Sequence, residues 1–97
     1  MPSNYRLSKA AARDISDILE YSYRQFGEAQ AIKYRDSLIQ CLDMLADMPT
    51  LGRECKDLKG YTFRLTHNRH TIYYRPSKGG IFVQRIIHIR KLPLTHL

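Results

Sequence analysis

The sequence predicts an α+β fold, a helix hairpin packed on a small antiparallel sheet in the order strand, helix, helix and three strands. Three observations lead there. Apolar residues recur at steps of three and four before Pro49, then in alternation and short runs after Tyr61. A single glycine, Gly27, separates the two long helical patterns, which makes them an antiparallel hairpin. The three-stranded meander that follows has an apolar face to bury, and the hairpin is the only large element available to cover it. With 97 residues, one domain spanning 1–97 is expected. A chain of that size buries roughly 60–70% of its unfolded surface.

The elements follow in order. Tyr5-Arg6-Leu7 reads as a short strand that joins the sheet edge, giving four strands in all. Ser8 precedes an Ala-rich run, where its hydroxyl can accept an orphan amide of the first helical turn. The first helix is expected from about Lys9 to Phe26. Ala11, Ile15, Ile18, Leu19, Ser22 and Phe26 share one face, with Asp14, Asp17, Glu20 and Arg24 largely opposite. Gly27 ends it in a conformation that side chains disfavour. The second helix runs from about Glu28 to Met48 on a stripe of Ala31, Tyr34, Leu38, Cys41, Leu42 and Leu45, and Pro49 stops it.

Thr50 to Gly60 lacks a rhythm and reads as a loop with a short turn. Tyr61 to His67 alternates, with Phe63 and Leu65 on one face and Arg64 and Thr66 on the other. Asn68-Arg69 is a two-residue hairpin link, because Asn tolerates positive φ. A strand from His70 to Arg75, a turn over Pro76–Gly80, and a long central strand from Ile81 to Arg90 complete the meander. Lys91 to Leu97, broken by Pro93, reads as a loose tail.

Charge is distributed unevenly. Six Lys/Arg face seven Asp/Glu up to Gly52, and ten face two from Arg53 onward, which accounts for the formal +7. A basic sheet on a near-neutral helical layer points to an anionic partner: RNA, DNA or an acidic protein. Arg64, Arg75, Arg85, Arg90 and Lys91 are the candidate cations of that surface. The 43% hydrophobic and 26% charged content is that of a globular chain. No run approaches the ~20 apolar residues of a membrane helix, and Met1–Arg6 lacks the apolar core of a signal peptide. Cys41 and Cys55 are spaced as two lone thiols, which suits a reducing cytosol. His67, His70 and His88 are not at zinc-ligand spacing from either cysteine, so neither metal nor cofactor is expected.

A family resemblance rests on residues spread over nearly the whole chain. They are Tyr5-x-Leu7-Ser8-x-x-Ala11-x-x-Asp14-Ile15-x-x-Ile18, Tyr21, Phe26-Gly27, Gln30-Ala31-x-x-Tyr34 and Leu42-x-x-Leu45-Ala46-x-x-Pro49. Gly52-Arg53, His70-x-Ile72-x-Tyr74 and Arg85-Ile86-Ile87-His88-x-Arg90 complete the set. In this order the chain resembles the ParE branch of the RelE/ParE toxin superfamily of bacterial toxin–antitoxin systems. It departs from the usual ending, a further Arg and an acid, with Lys91-Leu92-Pro93-Leu94.

The resemblance implies a cytoplasmic toxin, of the kind tied to plasmid stabilisation, held in a hetero-oligomer by a ParD-like antitoxin. That antitoxin would lie over the helix hairpin and sheet, in a groove that includes Tyr21, Tyr34, Met48 and Leu51. It also implies DNA gyrase as the target, with nucleic acid met indirectly through a gyrase–DNA or operator complex. Arg53, His70 and Tyr74 are expected to anchor the loop over the sheet or to bind the partner. No catalytic residue is assigned. A ribonuclease of the RelE kind needs a base, an acid and phosphate-binding cations. His70, His88, Arg64, Arg85 and Arg90 could in principle supply them. The basic half, however, has only Glu54 and Asp57 as carboxylates and nothing aromatic beyond Phe82 to stack a base. That alternative stays open, as does an inactive relative that only binds its antitoxin.

Overall fold

The computed structural model describes residues 4–93. The element order is β1 (Tyr5–Leu7), α1 (Lys9–Phe26), α2 (Glu28–Asp47), a 3₁₀ turn (Pro49–Leu51), β2 (Arg53–Glu54), β3 (Phe63–His67), β4 (His70–Ser77) and β5 (Gly80–His88). The α+β class and the order are those expected from the sequence. The Ser8 hydroxyl accepts the Ala11 amide at 2.9 Å and starts α1. The same hydroxyl donates to the Gln84 carbonyl at 2.8 Å, which fixes the helix start against β5. Gly27, at φ 93°, is both the end of α1 and the start of α2. Met48 is the cap of α2 rather than its last helical residue.

The sheet order is β1-β5-β4-β3-β2. The meander is antiparallel, but β1 runs parallel to β5, with Tyr5 opposite Ile81 and Leu7 opposite Val83. A fifth strand appears because Arg53 and Glu54 pair with Arg64 and Phe63. β5 is interior, as expected for the most apolar strand, but the middle of the sheet is β4. Asn68 takes φ 55° in the tight turn after β3. β4 extends through Ser77, opposite Gly80, so the second turn is only Lys78-Gly79. Since β3 stops opposite Tyr74, Pro76 has a single strand neighbour, the edge setting that proline tolerates. The described part of the tail, 89–93, has no regular secondary structure; 94–97 lie outside the described residues.

The core lies between the hairpin and one sheet face. Leu38, Leu42 and Leu45 of α2 and Ala11 of α1 meet Ile72 and Tyr74 of β4 and Ile81, Val83 and Ile86 of β5. Each of the larger aliphatic side chains contributes roughly 1.5–3 kcal/mol by leaving water. The step from Val83 to Ile86 breaks strict alternation. Tyr73 pairs with Arg85 and Tyr74 with Val83, which leaves Gln84 without a partner in a β-bulge. The bulge moves the inward phase of β5 by one residue, so that Ile86 follows Val83 into the core.

Candidate functional site

Two open surfaces result, one on each side of the sheet. The first is a groove of about 1080 Å³ between α1, the start of α2 and the ends of β4 and β5. Tyr21, Phe26, Tyr34, His70, Arg85 and Lys91 are among its lining residues. Tyr21 and Phe26 are 63% and 68% exposed, a large apolar surface left to water.

His70 and His88 of the groove's lining belong to a histidine cluster, completed by His67, that hydroxyls of α2 bind. The Tyr34 phenol and His70 Nδ1 share a hydrogen bond of 2.8 Å, and Ser37 Oγ and His67 Nε2 share one of 2.7 Å. The His70 and His88 rings meet edge to face at 5.7 Å. Burial pushes both His67 and His70 below the ordinary 6.5, and His88 and His67 lower His70 further. Burial also pushes Tyr34 up to about 12, with the nearby Cys41 adding to the rise. At neutral pH these are therefore uncharged, hydrogen-bonded groups. His70, expected to anchor the loop or to bind the partner, is tied to α2 through Tyr34.

Arg85 makes the sharpest departure from the sequence expectation. Its Nε and Nη2 donate to Asp14 Oδ2 and Oδ1 at 2.8 and 2.9 Å. Asp14 Oδ2 also accepts the Ile86 amide at 2.9 Å. The reason is topological. β1 pairs with β5 only as far as Val83, so the following amides face α1, and Asp14 accepts one of them. The pair raises the Arg85 pKa, the hydrogen bond to Asp14 being the main cause. Asp14, expected on the polar side of α1, has a side chain only 13% exposed. Arg85 is thus engaged within the fold, not presented as a free cation.

The second surface is a depression on the outer sheet face, lined by Leu51, Gly52, Arg53, Arg64, Tyr73, Ile89 and Leu92 among others. Tyr74 holds its rim. The phenol donates to the Pro49 carbonyl at 2.8 Å and accepts the Gly52 amide at 2.9 Å. Burial raises the Tyr74 pKa, with the Gly52 amide opposing it. A Cβ at Gly52 would lie 2.5 Å from Tyr74 Oη and 2.6 Å from the Arg64 carbonyl, so only glycine fits. Arg53 and Arg64 are cross-strand partners here, and Asp57 lies 3.7 Å from Arg64. The loop after β2 covers part of this face. Tyr61 meets Tyr73 edge to face at 5.4 Å, Tyr73 is 2% exposed, and Cys55, read from the sequence as a loop thiol, is 6% exposed. The cationic face is therefore divided, not continuous.

The expected groove residues separate accordingly. Tyr21 and Tyr34 line the first surface and Leu51 the second, while Met48, 50% exposed, is on neither lining. Of the expected cations, Arg64 is in the outer depression, Arg85 and Lys91 line the groove, and Arg75 stacks on Phe82 at 4.6 Å. Arg90 is exposed just beyond β5. Sequence reasoning missed the contacts of Asp14 with Arg85 and the Ile86 amide and, beyond the helix cap it foresaw, the bond of Ser8 to the Gln84 carbonyl. A signal was present, since both residues lie in the quoted Tyr5-to-Ile18 motif, but nothing local names their partners on β5. Among the described residues, no group of three or more His, Cys, Asp or Glu is placed to hold a metal ion, and no helix is long and apolar enough to cross a membrane.

Comparison with known proteins covers this same span. The family model for the ParE toxin of the type II toxin–antitoxin system parDE matches residues 5–93. The chain is 34% identical over 91 residues to Toxin ParE1 of Mycobacterium tuberculosis, covering 93% of each chain. It is 32% identical over 95 residues to Toxin ParE1 of Caulobacter vibrioides, covering 96% of each. The fold resembles a solved structure titled "Chromosomal ParDE TA system from P. aeruginosa" with a TM-score of 0.74. The identity there is 18%, over 90% of this chain and 96% of that one.

Proposed function

Since the chain belongs to the ParE toxin family of type II toxin–antitoxin systems, we propose that it acts in the cytoplasm as a single-domain toxin that poisons DNA gyrase by adhesion. A ParD-like antitoxin neutralises it in a hetero-oligomer. One observation carries this reading: exposed apolar side chains gather beside cations at both open surfaces. Leu51, Ile89 and Leu92, 43%, 49% and 67% exposed, surround Arg53 and Arg64 on the outer face. Tyr21 and Phe26 share the groove with Lys91. Surfaces that combine desolvatable apolar area with arginine favour macromolecular partners.

The histidine cluster supports binding over chemistry. His67 and His70 are held by neutral hydroxyls and pushed toward the uncharged form, whereas a general base works best with its pKa near the operating pH. On this reading the outer depression and the cations around it meet the gyrase–DNA complex. The antitoxin covers the groove, where Tyr21 and Tyr34 lie together.

The test is a supercoiling reaction with purified gyrase, read for linear DNA after protein digestion. Linear product that depends on both gyrase and toxin, and disappears when antitoxin is added first, is the expected result. An unchanged supercoiling pattern at micromolar toxin overturns gyrase as the target. Codon-phased cuts in translated message, seen by primer extension, would move the chain to the ribonuclease reading.

A further inference from the structure

We infer that Arg6, Phe82 and Arg75 form a phosphate-binding ladder through which this chain contacts the backbone of duplex DNA directly. The three residues lie in one row across β1, β5 and β4, because Arg6 pairs with Phe82 and Phe82 with Arg75. Both guanidinium carbons lie over the Phe82 ring, Arg6 at 5.3 Å and Arg75 at 4.6 Å from its centroid. Arg6 Nη2 also donates to Ser77 Oγ at 3.0 Å. The two long side chains are thus held in place before any ligand arrives.

Three features select the ligand. First, β1, β4 and β5 contain no Asp or Glu, so no carboxylate of these strands neutralises the row. Second, the two distances to the ring put the charges less than about 10 Å apart, within roughly one Debye length at 0.1 M salt. Held that close, they gain from an anion that can engage both, as neighbouring phosphates on one strand do. Third, both guanidinium groups occupy the Phe82 ring, so it does not serve as a base-stacking platform, the device that single-strand binders use. Planar guanidinium groups match phosphate oxygens in pairs. The contact is therefore with backbone, without base readout. Only the choice of DNA over RNA rests on the gyrase reading above.

The experiment is a fluorescence-anisotropy titration of the full-length toxin, without gyrase, against a labelled duplex of mixed sequence over a range of salt. Arg6→Gln with Arg75→Gln should weaken binding at low salt and reduce the log–log salt slope by about 1.8, two phosphate contacts at about 0.9 each. Removing two exposed helix cations instead, Arg13→Gln with Lys33→Gln, makes the same change in net charge and should leave the slope close to wild type. Circular dichroism confirms that both variants fold. Equal effects of the two pairs reduce the binding to bulk charge and overturn the ladder, as does a wild-type chain with no salt-dependent binding. Tighter binding to single strands overturns the stacking argument, and equal binding to an RNA duplex overturns the choice of DNA. Gyrase poisoning is read separately by linear DNA, so either claim can fail alone.

Discussion

Replacing Asp14 with Ala should be the most damaging single change on α1, although sequence patterning puts this residue on the helix's polar side. Three hydrogen bonds end on its carboxylate, two from Arg85 and one from the Ile86 amide. The side chains of Asp14 and Arg85 are 13% and 27% exposed, so water replaces the lost bonds only in part. A surface ion pair contributes about 0–1 kcal/mol. Breaking a buried one costs about 3–5 kcal/mol, because a charge is left behind. The intermediate exposure and the orphaned amide place Asp14→Ala at about 2–4 kcal/mol, on the order of 10–30 °C in Tm for a domain of this size. Urea unfolding followed by circular dichroism measures it. Arg85→Met, which keeps the stem and leaves Asp14 bonded to the Ile86 amide, should cost less. The double variant should show a coupling of about 1–3 kcal/mol. A loss below about 0.5 kcal/mol for Asp14→Ala, or additive single effects, would refute the strut.

Other outcomes follow from the same geometry. Tyr74→Phe removes the bonds to Pro49 and Gly52 and should cost about 2–3 kcal/mol, with faster amide exchange at Gly52 as its local sign. Gly52→Ala should cost at least about 1–3 kcal/mol by overpacking against Tyr74 and the Arg64 carbonyl; an unchanged urea midpoint would contradict that fit. Stability should be full above about pH 6.5 and fall as pH drops below it. Folding holds His67 and His70 below their ordinary 6.5, so in that window the unfolded chain binds more protons. His70→Asn should flatten that pH dependence of the urea midpoint, and a slope of opposite sign would show that the imidazoles are stabilised as cations. Gly80→Ala should displace β1, since its Cβ would fall on the Asn4 carbonyl; protected amides in β1 of this variant would argue against such crowding.

What could be read from the sequence was whatever is local. Ser8, Gly27 and Pro49 punctuate the helices through caps and a missing amide, and Asn68 sets its turn through positive φ. β2 was not legible, because two residues carry no period; the pair exists only through β3. The direction of β1 was equally hidden, since three residues show a strand but not which neighbour it meets or how. Gln84 broke the alternation of β5, so a strict two-residue rhythm could not place Arg85. The Arg85–Asp14 pair spans 71 positions, and nothing near either residue announces the other. Cys55 lies in a stretch that reads as a loop, and its burial follows only from the segment between β2 and β3 folding over the outer face. Charge counting located the basic half of the chain, but not which of its cations the fold engages, as it does Arg85.

The most direct test of adhesion is equilibrium binding of purified toxin to a gyrase–DNA complex, comparing wild type with Arg53→Gln/Arg64→Gln. Saturable binding that falls at least about tenfold in the variant, roughly 1.4 kcal/mol, with the helix hairpin still folded, is the expected result. No binding by wild type, or equal binding by both, would contradict the outer sheet face as the surface that acts.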